Sequence, residues 1–230
     1  MEKQFHGQAS ESLRLGLLLA VVGGFLEAYT FLSRGGVFAN CETGNLVLLG
    51  LYLAQGQMVR AMTYLPPILA FFCGVLLTNS IRRRAAFHPR LHWRQITVLF
   101  EAACLAAVAF IPYGRWENIA VTALVSFACS IQVQSFRKVH GKGVATTVCT
   151  GNLKSGVENL CAYFQSGNKH NLKSSLLYFS MIFFFIAGAI AGSLLIRQYD
   201  IYSIIFCAAI QFTAFLIMFI DREKRKSICR

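Results

Sequence analysis

Acidic residues are scarce in this chain, with 10 Asp and Glu against 22 Lys and Arg in 230 residues, and only 14% of all residues are charged. A soluble globular domain carries about 25%, so an ordinary water-facing surface is excluded. Proline is also rare, at 4 residues, which leaves the long apolar runs almost free of the strongest helix breaker. The eight cysteines form no CxxC pair, and Cys73, Cys104, Cys129, Cys161 and Cys207 fall inside apolar runs. A thiol in such a run behaves as a small hydrophobe, which argues against a disulfide framework. The five His offer no ligand spacing: His88 and His92 are four apart but Pro89 lies between them, and His6, His140 and His170 stand alone. No metal and no cofactor is expected. The first apolar run, Leu15 to Leu32, lacks a small-residue cleavage site, so it is expected to remain as structure rather than leave as a signal peptide.

What the chain has in quantity is apolar sequence. It is 56% hydrophobic with 20 Phe and a mean hydropathy of +0.54. This is the composition of an integral membrane protein. Six runs are long enough to cross a hydrocarbon core of about 30 Å: 13–33, 63–81, 96–112, 119–136, 174–196 and 201–220. Two more, 43–55 and 150–164, are too short for a comfortable crossing at about 20 residues per helix.

Both short runs open on the same phrase. Cys41-Glu42-Thr43-Gly44-Asn45-Leu46 is repeated 107 positions later as Val148-Cys149-Thr150-Gly151-Asn152-Leu153, and each copy follows a glycine-bearing stretch, Gly36–Ala39 or Gly143–Thr146. Further matches join Tyr64, Phe71, Phe72 and Gly74 to Tyr178, Phe185, Ile186 and Gly188, and Phe100–Ala103 to Phe206–Ala209. The chain therefore reads as an internal duplication, residues 1–112 and 113–230, each half a span, a half-helix and two spans.

The basic residues decide the orientation of the halves. If the two short runs do not cross, one side of the membrane holds seventeen Lys and Arg, in the N-terminus, the 82–95, 137–142 and 166–173 loops and the C-terminal tail. The other side holds four: Arg34, Arg60, Arg115 and Arg197. If both cross, the division is 11 against 10 and the asymmetry vanishes. Cytoplasmic loops are enriched in Lys and Arg, so the non-crossing arrangement is expected, with both termini cytoplasmic. Three spans per half then invert the second half relative to the first. The expected fold is an all-α membrane protein of six transmembrane helices and two re-entrant half-helices in an inverted repeat. The same charge distribution accounts for the net +12 by topology and attraction to the anionic headgroups of the bilayer, and no nucleic acid partner is expected.

Irregular backbone survives at membrane depth only when buried in protein or lining a wet cavity. The stretches before the two half-helices are therefore expected to point inward. Thr43 and Thr150 are expected N-caps, and Gly44 and Gly151 are expected to admit a neighbouring backbone or a solute. Two helix N-termini converging near the midplane favour an anion or a polar solute rich in acceptors. The alternative is that the tripeptides merely pack the half-helices together, with the Asn45 and Asn152 side chains closing each other's loops.

Gly24–Ala28, Gly36–Asn40, Thr43-Gly44-Asn45 and Thr146–Leu153 together resemble the YoaK family of bacterial multipass membrane proteins. The resemblance runs through nearly the whole chain. It implies a bacterial cytoplasmic membrane and implies no substrate. Glu27 stands where that family usually has Asp, Glu42 where an apolar residue usually precedes the first tripeptide, and Ser130–Gln134 matches its Gly-Met-Gln-Asn-Ala only in part.

Glu27, Glu42, Glu101 and Glu158 lie in or beside apolar segments, and an ionisable group at membrane depth is a functional-site candidate by default. Glu27 leads, as a proton carrier facing Gln132 and Gln134 or as a neutral acid bonded to a loop carbonyl. Glu42 precedes a helix N-terminus, where a carboxylate is favoured. The substrate-binding set is Glu27, Asn40, Glu42, Thr43, Gly44, Asn45, Gln132, Thr150, Gly151 and Asn152. The function expected is a small transporter or channel for a polar solute, an anion among the candidates, with a homo-oligomer left open. The runner-up is a non-transporting scaffold or regulator with a basic cytoplasmic face. An intramembrane enzyme ranks third, because no nucleophile beside a base and no metal cluster can be assembled from these residues.

Overall fold

The computed structural model describes residues 12–84 and 93–228, with side chains from 219 onward outside the described set. Lys3, His6, His88, Pro89, Arg90, His92 and Arg230 lie outside the described residues. Within them the chain is nine α-helices and one short hairpin: α1 (Leu13–Ser33), α2 (Glu42–Ala54), α3 (Met58–Ala61), α4 (Leu65–Arg84), α5 (Trp93–Val108), α6 (Arg115–Ser135), β1 (Lys138–Val139), β2 (Lys142–Gly143), α7 (Cys149–Ser166), α8 (Lys169–Tyr199) and α9 (Ile204–Ile228). Among the described residues, four helical segments are long and apolar enough to cross a membrane: Leu13–Ser33, Met58–Arg83, Arg115–Ser135 and Lys169–Met218. The last is 50 residues long, about 75 Å of helix at 1.5 Å per residue, more than twice one crossing. It is broken at Asp200, whose φ is +51°, where a short 3-10 turn, Asp200–Ser203, hands the chain from α8 to α9.

α2 has 13 residues, about 20 Å, the length of its apolar run moved back by one residue, and α7 has 18, about 27 Å, longer than its run. The residues added to α7 are Cys149 at the loop boundary and the polar pair Gln165 and Ser166, which an apolar count leaves out. Lys154 and Glu158 form an i,i+4 ion pair at 3.8 Å on its exposed face, a spacing that supports the helix.

The core is shared by four helices. Val22, Phe25, Leu26 and Tyr29 of α1, Leu105 and Val108 of α5, Val121, Val125 and Cys129 of α6, and Ile204 and Cys207 of α9 form one buried cluster. α8 packs along α1 on one flank with α7 behind it, and α4 packs along α6 on the other with α2 behind it. Both flanking contacts are made through glycine. A Cβ on Gly188 would fall 2.1 Å from the Val21 carbonyl, and one on Gly74 would fall 1.8 Å from Ser130 Oγ. Such backbone approach is the usual way helices associate where burial from water supplies no drive. The polar hairpin β1–β2 pairs Lys138 with Gly143 and Val139 with Lys142. Its two-residue turn, His140-Gly141, has φ of +49° and +77°, matching the positive-φ turns that suit strand twist. Val139 is buried against α1 and α8, and Lys142 hydrogen-bonds Ser174 of α8.

Candidate functional site

Two loops lead into α2 and α7, and each is closed by the asparagine of the helix it precedes. Asn45 Oδ1 accepts from Phe38 N at 2.9 Å and its Nδ2 donates to Phe38 O at 2.9 Å. Asn152 does the same to Ala145, accepting from its N at 3.1 Å and donating to its O. Both reach back seven residues, and both are buried. The side-chain amide thus pairs with a backbone residue as a neighbouring strand would, satisfying polar groups that lipid could not. Each Asn closes its own loop, not the other's as the packing alternative had it.

The threonines also depart from expectation. α2 begins at Glu42 with Cys41 as N-cap, and α7 at Cys149 with Val148 as N-cap, neither with a side-chain cap bond. Thr43 and Thr150 are therefore second helical residues, not caps, and both are exposed. The loops are already held by Asn45 and Asn152 from inside the helix, so a hydroxyl at the boundary has no role to fill. Gly44 and Gly151 differ as well. A Cβ on Gly44 would meet the Phe38 ring at 2.8 Å, whereas one on Gly151 would meet nothing within 4 Å.

The loops come together on the middle of α1. Glu27 accepts two loop N–H groups, Ala39 at its Oε2 (3.0 Å) and Asn40 at its Oε1 (3.1 Å). Its partners are donors, not the loop carbonyl expected of a neutral acid. Asn40 Nδ2 lies 3.5 Å from the Gly23 carbonyl. From the other loop, Thr146 O and Thr147 Cα stand 2.8 and 3.2 Å from where a Gly23 Cβ would be. Gly23 is at the centre of a 21-residue helix. Cys149 lies within electrostatic reach of Glu27 and Cys41, which puts the starts of α2 and α7 in one neighbourhood. Gln132 joins from α6, donating to Thr146 Oγ1 at 3.1 Å and Leu19 O at 3.2 Å. Glu42 accepts from Asn45 Nδ2 at 3.0 Å and stands beside Ser126 of α6.

Besides Glu42 Oε1 and Ser126 Oγ, which lie beside each other, two buried atoms in this neighbourhood have no partner: Asn40 Oδ1 and Thr147 Oγ1. The residues are 3% and 2% exposed, and they occupy the same place in the two loops, 107 positions apart. The sequence reading included Asn40 and missed Thr147. The repeat offset alone would have found it. Arg34 was passed over too, as one of four basic residues on the sparse side. It is 1% exposed, with Nη1 donating to Pro112 O (3.0 Å) and Asn118 Oδ1 (3.3 Å), and Nη2 to Ile111 O (2.8 Å) and the Tyr29 hydroxyl (3.0 Å). Tyr29 continues to Ile201 O at 3.2 Å, so one guanidinium ties together the ends of α1, α5, α6 and α9.

Such a chain, all-helical, apolar on its outer faces and polar where two loops meet mid-helix, is an integral membrane protein. It belongs to the family described as a protein of unknown function, DUF1275, which matches residues 15–218. It is similar to the UPF0700 transmembrane protein YoaK of Bacillus subtilis (strain 168), at 29% identity over 186 residues, covering 77% of this chain and 80% of that protein. No solved structure matches it.

Proposed function

We propose that the chain is a small transporter or channel for a polar solute across the bacterial cytoplasmic membrane. In this reading it has six crossings and two re-entrant half-helices in an inverted repeat, halves 1–112 and 113–230, with both termini cytoplasmic. Support for the repeat comes from packing: exchanging α1 with α6, α4 with α8, α5 with α9 and α2 with α7 maps the pairings among these eight helices onto themselves. The break at Asp200 makes two crossings of the 50-residue segment.

The observation that carries the solute site is the matched pair Asn40 Oδ1 and Thr147 Oγ1. Buried polar atoms without partners are costly, and two at equivalent positions beside two helix starts fit a ligand that bonds to both loops. Glu27, Asn45 and Asn152 hold the loops in place, Glu42 and Gln132 brace them against α6, and the open side of Thr43, Thr150 and Gly151 is the approach. The test is a thermal-stability screen of the purified protein over anions, amino acids and nucleosides, repeated with Asn40→Ala and Thr147→Val. A stabilising solute whose effect is lost in both variants supports the reading. Stabilisation that survives both substitutions refutes this site.

A second reading, a non-transporting scaffold, draws on a specific observation: Glu27, Asn45 and Asn152 direct their polar atoms to their own loops. It predicts no stabilising solute and a partner held by the basic face.

A further inference from the structure

Glu101 is 1% exposed in the middle of α5. Its carboxyl Oε2 accepts from Gln211 Nε2 of α9. The same amide nitrogen lies 3.3 Å from Gln132 Oε1 of α6, and Gln132 donates to Thr146 in the second loop. Four side chains from three helices and one loop, none more than 2% exposed, thus form a continuous line.

The line lacks one hydrogen. Glu101 Oε1 and Gln211 Oε1 are both buried acceptors without a donor, on two groups already bonded to each other. An ionised Glu101 would leave both orphaned and keep a full charge in an apolar core with one hydrogen bond, a costly state without a cationic partner. Among the described residues, the ionisable groups within its electrostatic reach are thiols: Cys104 on α5, Cys129 on α6 and Cys207 on α9. Cys129 also lies within reach of Glu27 of α1 and Glu42 of α2, so the charges beyond that thiol are acidic. Arg94 lies seven residues earlier on α5, about 10 Å along the axis.

We propose that Glu101 is a proton-binding site, a neutral acid whose Oε1 hydroxyl donates to Gln211 Oε1, and that its protonation is relayed through Gln211 and Gln132 to the loop carrying Thr146 and Thr147. One proton satisfies both orphaned oxygens. Its release turns Oε1 and Oε2 into a carboxylate, and a charge-assisted bond draws the Gln211 amide toward Glu101 and away from its long contact with Gln132. Gln132 is then free to shift at Thr146, beside the unpartnered Thr147. The relay's consequence for transport rests on the solute-site reading; the proton site itself does not.

The test is infrared spectroscopy of the purified protein at neutral pH, with thermal unfolding from acid to alkaline pH. A protonated-carboxyl band present in wild type is expected to be lost in Glu101→Gln and retained in Glu27→Gln. Glu101→Gln should fold, because its amide supplies the donor the acid supplied, and should lose less stability than wild type as the pH rises and the acid would ionise. A spectrum unchanged in Glu101→Gln, or failure of that variant to fold, overturns the proposal. So does sodium chloride stabilising wild type but not Glu101→Gln, with choline chloride inert, which marks a cation site instead. A solute screen that finds nothing leaves these outcomes unaffected, so failure of the transport reading is separable.

Discussion

Replacing the loop-closing asparagines separates their two bonds from everything else the tripeptides do. Asn45→Ala removes one acceptor and two donors and strands the Phe38 N–H and C=O. The Phe38 bonds are partly buried, so a loss of about 1 kcal/mol each is appropriate, about 2 kcal/mol in all. For a chain of this length that is a fall in Tm of about 4–8 °C, and Asn152→Ala should match it. Asn→Asp is the sharper probe. It keeps the acceptor for the backbone N–H but sets an oxygen against the backbone carbonyl, so both Asp variants should be worse than Ala. The two should also differ, because Asn45 Nδ2 is bonded to Glu42 Oε2 and the residue before Thr150 is Cys149. Two carboxylates about 4 Å apart repel by on the order of 4 kcal/mol at an effective dielectric of about 20. Asn45→Asp should therefore be the least stable of the four, and its deficit should shrink as the pH falls and one of the pair takes a proton. The assay is thermal unfolding of the detergent-solubilised variants between acid and neutral pH. Equal Tm values for Asn45→Asp and Asn152→Asp, or Asn→Ala changes within 1 °C of wild type, would refute the clamp.

Gly188→Ala should lower stability by 1–3 kcal/mol or more, because its Cβ would enter the Val21 carbonyl, while Gly151→Ala should be tolerated in unfolding assays because its Cβ meets open space. Arg34→Lys should cost about 2–4 kcal/mol in denaturant unfolding, since an ammonium cannot reach the four partners the guanidinium fork holds; wild-type stability would remove its tying role. In a cysteine-free background, a cysteine at Arg115 should label from outside intact cells and one at Lys169 should not, and the reverse pattern would sink the proposed orientation. With only Cys41 and Cys149 retained, a short bifunctional thiol reagent should join the two, shifting a fragment pair cleaved between them into one band; failure to join would separate the loops.

Periodicity and length made the helical class legible, because long apolar runs with proline only near their ends have few other options in a membrane. The recurrence of the Thr-Gly-Asn phrase with its lead-in was legible for the same reason the clamp works: the reach of Asn to a residue seven back demands the same spacing each time. Other features were invisible for physical reasons. A cap depends on which residue first adopts helical dihedrals, and a loop fastened from within the helix moved that point to Cys41 and Val148. The end of α7 was obscured by Gln165 and Ser166, which a hydropathy count reads only as polarity. Contacts such as Glu101 with Gln211, 110 residues apart, or Arg34 with Pro112, depend on which helices become neighbours. No local pattern in one segment encodes that.

The exposed faces of the two half-helices carry a last consequence. At the positions where α7 presents Lys154 and Glu158, the duplicate α2 presents Val47 and Leu51. Under the proposed inverted repeat, a perfectly repeated chain would offer the same entrance from either compartment. In that reading one entrance is wetted by an ion pair and the other is greasy, so a polar solute would lose its hydration shell at different stages on the two sides. Access from the two sides then differs while the loops between the two helices stay matched, and swapping Val47 and Leu51 for Lys and Glu is the change that would make the entrances alike.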